Sequence, residues 1–323
     1  MTDVIGHGPG FLLALPRSGS TLLSAMLDNH PAIASPPEPW ILLALHSLGR
    51  VDRRHPANAQ LVGEAVAAVL DPAVALSAAR SAALAVYNAT LAATGKTLFV
   101  DKTPRYHLIL EYVEALFPAA PMIWLRRNPF DMAASYRTTW GIDVPMLLRT
   151  GADDPSAFDL VPGLEMLEQF HATRKDRVLA LRYEDLVADP VRELERVLAH
   201  VGVPVPDGGA GRLTDLSGLR RDSNRFGDPK IIATTAPHTR SVGAWRHLLS
   251  LEDVQVVLDA VGMERLQRLG YGMEAEQAIA LGAVDKGPAV TEAHAARGHA
   301  QISRRRDDID TVTRLPHTVQ DIL

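Results

Sequence analysis

The segment from Phe11 to Leu23, FLLALPRSGSTLL, constrains this chain more than any other. Phe11–Leu15 is a short apolar run between Gly10 and Pro16, the pattern of a buried strand. A tight turn rich in Ser and Gly follows. From Ser20 to Asn29 the apolar Leu22, Leu23, Met26 and Leu27 then recur on one side of a helix. Strand, turn and helix in that order form the layout of a phosphate-binding loop. The turn offers backbone N–H groups and the helix offers its positive end, so the segment favours an anion.

A nucleoside triphosphate loop would read GxxxxGK[ST]. Here Ala14 stands at the first Gly and Ser20 at the Lys, while the cation has moved to Arg17 inside the turn. Ser18, Ser20 and Thr21 place hydroxyls around Gly19. No lysine is left to reach a γ-phosphate, and no acidic partner for magnesium stands out. The plainer alternative is a Ser-rich helix cap after a strand.

Three further apolar runs have the same character. Thr97–Val100 leads into DKTPRY, Met122–Leu125 into RRNPFDMAASY, and Arg177–Leu181 into RYEDL. Helical spacing fills the intervals: residues 57–94, divided by Pro72; residues 105–116; and Pro190 to Val201. Strands alternating with helices predict an α/β fold, a mostly parallel sheet with helical crossovers. Each strand is followed by polar and charged residues, and ligands of open α/β sheets bind at that edge. Residues 204–243 read as a long loop and Ser250 to Leu269 as a last amphipathic helix with Ser250 as its N-cap. Beyond Gly272 the chain is more polar and less regular, ending in a charge block, SRRRDDID.

At 323 residues the chain suits one α/β domain with insertions. Its net charge of −5 argues against general attraction to nucleic acid or to anionic membrane, so anions must be held by locally placed basic groups. With no cysteine, disulfides, thiolate catalysis and zinc–thiolate sites are all excluded. MTDVIGHGPG lacks the features of a signal peptide, and no apolar run approaches the ~18 residues of a membrane span. The expectation is a soluble cytoplasmic protein.

Lys102 directly follows a strand, where it suits stabilising charge on a transferring group, although an ordinary strand-end lysine also fits. Arg127 leaves the third strand and Ser135 lies two turns along the next helix, so the two are placed to grip a second phosphate; a basic helix cap is the alternative. Glu38, in SPPEPW, is held on a loop stiffened by Pro36, Pro37 and Pro39, as a general base requires, although a lone Glu in such a loop is usually just solvated. His30, His46 and His107 match no helical metal motif, and no metal is expected.

In this order the segments resemble the sulfotransferases that use 3′-phosphoadenosine 5′-phosphosulfate. PRSGSTLL is similar to the family's 5′-phosphosulfate loop, which implies that Arg17, Ser18, Gly19, Ser20 and Thr21 hold that end of the donor. RNPFDMAAS is similar to its 3′-phosphate motif, with Arg127 and Ser135 at the matching positions, and RYEDL to a segment whose Tyr, here Tyr183, lies near the nucleotide. DKTP matches a stretch carrying a catalytic lysine in the tyrosylprotein branch, which implies that role for Lys102. In that branch and in related bacterial enzymes an acidic residue after the first helix serves as base, and Glu38 is the matching position. The cytosolic animal branch uses a His base with a Lys in the 5′ loop. Arg17 stands in this loop, so Glu38 is preferred over His107.

The resemblance covers about residues 10–250. It implies a single P-loop-like domain over 1–273, a parallel sheet flanked by helices with helical insertions, followed by a C-terminal extension over 274–323. It also implies transfer of a sulfuryl group, without metal, to a hydroxyl. SPPE and GDPKIIATTAPHTRSVGAWR, from Gly227 to Arg246, are similar to the bacterial group acting in polyketide and peptide natural-product pathways, so the expected acceptor is a small molecule or an acyl chain on a carrier. Trp40, Trp140 and Phe226 are candidates for an apolar acceptor pocket, or equally for core. The tail beyond 273 is available to a neighbour or a second subunit, as in a homo-oligomer. The competing functions are a P-loop-type kinase and a nucleotide-binding protein without catalysis.

Overall fold

Strand β1 (Gly10–Ala14) is buried at every residue and lies at the centre of the sheet. Its alternate side chains leave in opposite directions, as strand geometry requires. Phe11 and Leu13 enter one apolar cluster, Leu12 and Ala14 the other. A strand covered on both faces reads as an unbroken apolar run, which is why this one is visible in the sequence. The computed structural model describes residues 8–310 except 49, 53, 54, 219–230, 232 and 233.

Around β1 the chain lays down α1 (Ser20–Asp28), β2 (Ile33–Ala34), α2 (Ile41–His46), α3 (Ala59–Val69), α4 (Pro72–Thr94) and β3 (Leu98–Asp101). A 3₁₀ turn at Tyr106–Ile109 precedes α5 (Leu110–Leu116), β4 (Met122–Arg126), α6 (Pro129–Trp140), α7 (Val144–Thr150) and α8 (Pro155–Phe158). A π-helical turn, Asp159–Gly163, leads into α9 (Leu164–Ala172), β5 (Val178–Arg182), α10 (Tyr183–Ala188) and α11 (Pro190–Val201). The described residues end with α12 (Trp245–Leu248), α13 (Leu251–Val261), α14 (Met263–Arg268), α15 (Gly272–Ala280) and α16 (Pro288–Asp310).

The five strands are all parallel, in the order β2-β3-β1-β4-β5. Ala14 pairs with Leu125, and Leu125 with Leu181. The C-terminal ends of the three strands are therefore level, and the loops after them open on one edge.

Four strands lie where the sequence places them, as do α1, α3, α4, α5, α6 and α11; α2, α7, α8, α9 and α10 were not anticipated. The edge strand β2 was not anticipated, because two residues carry no periodicity. The single helix expected over Ser250–Leu269 is two, α13 and α14. Gly262 separates them with φ 84°, and a Cβ there would meet Thr291 Oγ1 at 2.7 Å, so the break is built on the absence of a side chain. The chain beyond Gly272 is helical rather than irregular. In helix α16 Ile302 is buried, Ala295 packs against the main core, the Gln301 amide donates to the Gly151 carbonyl at 2.9 Å, and Gly298 abuts Pro162. Helix α15 places Ala275 and Ala278 in the main core. Phe226, the segment from Gly227 to Lys230, Ile232 and Ala233 lie outside the described residues. Among the described residues no single helix is long and apolar enough to cross a membrane; α3 and α4 pass that test only together, bent by 101°.

Ser250 caps α13 through a reciprocal pair: its hydroxyl accepts from the Asp253 N–H, and the Asp253 carboxylate accepts from the Ser250 N–H. Ser250→Ala is expected to lower unfolding free energy by about 1 kcal/mol, read as a lower urea midpoint at unchanged slope.

Candidate active site

The turn after β1 closes on the Leu15 carbonyl, which accepts from both the N–H (3.2 Å) and the hydroxyl (2.7 Å) of Ser18. This folds the chain back sharply enough to put Arg17 in the left-handed region, at φ 69°. Such a conformation costs a non-glycine residue on the order of 1 kcal/mol and persists only where contacts impose it. The contacts come from α6. Arg17 Nε donates to Ser135 Oγ and an Arg17 terminal nitrogen to Thr139 Oγ1, each at 3.1 Å, and the guanidinium lies 4.7 Å from the Trp140 ring centre.

Gly19 follows at φ 91°, and a Cβ there would stand 2.3 Å from the Tyr183 ring. Glycine thus admits an aromatic face from α10 directly against the turn. Gly19 is also the N-cap of α1 and has no side chain to offer its N–H groups. The open, positive end of the helix is therefore available to a bound anion.

Arg127, just beyond β4, is buried against the same turn. Its two terminal nitrogens donate to the carbonyls of Arg17 (3.0 Å) and Ser241 (2.9 Å), and its plane lies over Tyr183 at 4.5 Å. Its Nε is buried without a hydrogen-bond partner. The Tyr183 hydroxyl is paired with Ser241 Oγ at 2.8 Å. The segment bearing Ser241 is fastened to α6 by Asp131, which accepts from the N–H groups of Gly243 (2.7 Å) and Trp245 (3.0 Å). Burial pushes the Asp131 carboxyl up, against the pull of Arg127.

On the other side of β1, Lys102 Nζ donates to Glu38 Oε1 at 3.0 Å. The lysine is fully buried, while the carboxylate is 15% exposed. Pro37 forms a parallel bridge with Lys102, so the proline-rich loop continues the sheet edge at the point where Glu38 leaves it. Beneath the pair, Asp101 accepts hydrogen bonds from the hydroxyls of Tyr87 (2.6 Å), Tyr106 (2.8 Å) and Thr103 (3.0 Å). Burial pushes the Asp101 carboxyl up to about 6, the three hydroxyls only partly offsetting the loss of water.

These groups surround one cleft of about 1050 Å³. Of the residues singled out in the sequence, Arg17, Gly19, Ser20, Thr21, Glu38, Arg127, Ser135 and Tyr183 line it. Lys102 and Ser18 stand behind the lining, the first under Glu38 and the second folded onto Leu15. His107 is buried with Nε2 3.9 Å from Asp159 Oδ1 and is not part of the wall. Trp40 and Trp140 do line the cleft. Sequence reasoning missed Thr138 and Thr139, although Thr139 lies one helical turn beyond Ser135 and that spacing pointed to it. It also missed Arg105, which makes a two-pronged contact with Asp159 at 3.2 and 2.9 Å, and Ser241; neither has a local signature. Among the described residues no cluster of three or more His, Asp or Glu is placed to hold a metal ion.

The sequence profile of the sulfotransferase family matches residues 9–207, a span that includes the turn, Lys102 and all of α6. The chain belongs to the sulfotransferase family. Nodulation protein NoeE of Sinorhizobium fredii is 41% identical over 298 residues, covering 87% of this chain and 70% of that protein. Among solved structures, the sulfotransferase domain from the curacin biosynthetic pathway is 22% identical, with a TM-score of 0.53 over 82% of this chain and 99% of the other. The sulfotransferase domain from the Synechococcus PCC 7002 olefin synthase is 25% identical, with a TM-score of 0.52 over 79% and 95%. This sulfotransferase thus shares the fold of both.

Asp101 carries a signature in stability. Its folded-state pKa is raised, so the folded state holds a proton that the unfolded chain releases earlier. The resulting stabilisation is full below the unfolded value of 3.8 and is lost as pH rises through about 6. Relative to Asp101→Asn, the wild type should lose on the order of 3 kcal/mol of unfolding free energy between pH 4 and 7. Urea unfolding at several pH values measures the difference, and parallel pH profiles for the two proteins would refute it.

Proposed function

We propose that the cleft binds 3′-phosphoadenosine 5′-phosphosulfate and passes its sulfuryl group to a hydroxyl of a small-molecule or carrier-bound acceptor. The observation that carries this reading is the convergence of two basic grips, Arg17 and Arg127, with the Glu38–Lys102 pair around one cleft. The residues suit such a donor. Arg127 keeps a buried nitrogen without a partner, and the α1 N-terminus has no side-chain cap. The donor supplies a sulfuryl group already bonded to a good leaving phosphate.

Ser20 and Thr21 hold the 5′-phosphate with the first N–H groups and hydroxyls of α1, while Gly19 lets Tyr183 approach and Ser18 keeps the turn closed. Arg127 and Ser135 receive the 3′-phosphate, which distinguishes this donor from ATP. Glu38 accepts the proton of the acceptor hydroxyl on the carboxylate oxygen that Lys102 does not hold. The acceptor oxygen forms its bond to sulfur as the bond from sulfur to the 5′-phosphate oxygen breaks, and that electron pair leaves with adenosine 3′,5′-bisphosphate. Arg17 balances the negative charge that gathers on the sulfuryl and bridging oxygens, and Lys102, buried behind the lining, acts on the site through the Glu38 carboxylate it holds. Support for a biosynthetic acceptor comes from the SPPE loop and from structural relatives that belong to a curacin pathway and an olefin synthase.

Transfer from labelled donor to a panel of primary and secondary alcohols, including β-hydroxyacyl pantetheine thioesters, tests the reaction. Glu38→Gln should lower kcat by ~10²–10⁴-fold, the usual contribution of a placed base, and leave binding of adenosine 3′,5′-bisphosphate unchanged by calorimetry. Full turnover by that variant would remove Glu38 from the role.

Arg127→Ala should weaken adenosine 3′,5′-bisphosphate by about 1.5–3 kcal/mol, the range of a charged hydrogen bond, with little change for adenosine 5′-monophosphate. Wild-type protein that binds the two nucleotides equally would overturn the assignment.

A further inference from the structure

The loop that presents Glu38 is strained twice within three residues. Glu38 has φ 35° and Trp40 φ 56°, both in the region that disfavours side chains. Two backbone N–H groups of this stretch are bound by side chains from beyond β3. The Trp40 N–H donates to Thr103 Oγ1 at 3.3 Å, and the Leu42 N–H to the Tyr106 hydroxyl at 3.2 Å. Each of those hydroxyls in turn donates to one carboxylate, Thr103 to Asp101 Oδ1 at 3.0 Å and Tyr106 to Asp101 Oδ2 at 2.8 Å. Tyr87 adds a third donor from α4 at 2.6 Å. Asp101, Thr103, Tyr106 and Tyr87 are all essentially without solvent contact.

The direction of each bond follows from the chemistry. An ionised carboxylate only accepts, so both hydroxyls must spend their hydrogens on Asp101 and turn a lone pair outward. Those lone pairs are what the Trp40 and Leu42 N–H groups meet. A hydroxyl free to rotate would satisfy the loop only part of the time.

We propose that Asp101, acting through Thr103 and Tyr106, is a positioning device for the catalytic base: it fixes two hydroxyls as acceptors, and these clamp the strained backbone on the C-terminal side of Glu38. The inference rests on the reading of Glu38 as the base. The carboxylate at Asp101 touches neither donor nor acceptor and transfers no proton to them. Its effect is to hold the Glu38 carboxylate where an acceptor hydroxyl can reach it, and a displacement of the order of 1 Å at such a group costs up to about 10²-fold in rate.

Thr103→Val removes one arm while keeping shape, and Thr103→Ser restores the hydroxyl. The rate of adenosine 3′,5′-bisphosphate release from the donor, with the alcohol panel in excess, should fall about 10- to 100-fold in Thr103→Val through kcat. Affinity for adenosine 3′,5′-bisphosphate should hold, and Thr103→Ser should recover most of the loss. Hydrogen–deuterium exchange over residues 36–42 should quicken in Thr103→Val and in Tyr106→Phe, a readout independent of any acceptor. In a double-mutant cycle, Thr103→Val should have no further effect once Glu38 is Gln, because the clamp works only through that side chain. Wild-type kcat and exchange in both clamp variants, with Glu38→Gln impaired, would overturn the clamp and leave the base standing. Equal losses in the presence and absence of Glu38 would also overturn it. Full turnover by Glu38→Gln would instead remove the base reading beneath it.

Discussion

Arg17 is the contact on which the cleft depends. One residue, bent into the left-handed region by a turn that closes on Leu15, reaches across to Ser135, Thr139 and Trp140 on α6, while its own carbonyl receives Arg127. The loop after β1 and the helix after β4 are thereby tied at a single guanidinium. A planar group with five donors suits this task better than an ammonium, since it serves two hydroxyls and an aromatic face at once. A nucleoside triphosphate loop would carry its lysine at the position of Ser20, three residues on from Arg17.

The sheet sets the scale of the arrangement. Because β1, β4 and β5 end level, Arg17, Arg127 and Tyr183 all emerge at one edge, a short distance from where they were fixed. The positive charge is concentrated there in a chain whose net charge is −5. The basic character of this edge is thus a local property of the strand ends and owes nothing to the overall charge of the protein.

The sequence disclosed what is continuous along the chain. Four strands were legible because burial on both faces leaves unbroken apolar runs, and Arg17, Lys102 and Arg127 because each stands within a few residues of a strand end. Glu38 was legible through its prolines. Contacts joining distant residues were not: Tyr87 meets Asp101 across 14 positions and Arg127 meets Ser241 across 114. A tyrosine in an Ala-rich helix and a serine in a loop carry no mark of such partners. The helices after Gly272 were hidden for a different reason. Much of what they dock with is alanine and polar side chains such as Gln301 and Arg305, so their pattern reads as polar even where Ala275, Ala278 and Ile302 are buried.

The family match ends at residue 207, yet α6 lies within it and is finished from outside it. Asp131 finds both its donors at Gly243 and Trp245, and Phe130 stacks on the Trp245 ring at 4.9 Å. A fragment cut at the end of the match would bare an aromatic ring and leave a carboxylate in a half-built pocket with no amide to receive it. The sheet is therefore divisible by sequence similarity in a way that the cleft is not. A fusion or transplanted domain based on this chain has to carry the stretch through α12 along with the motifs it supports.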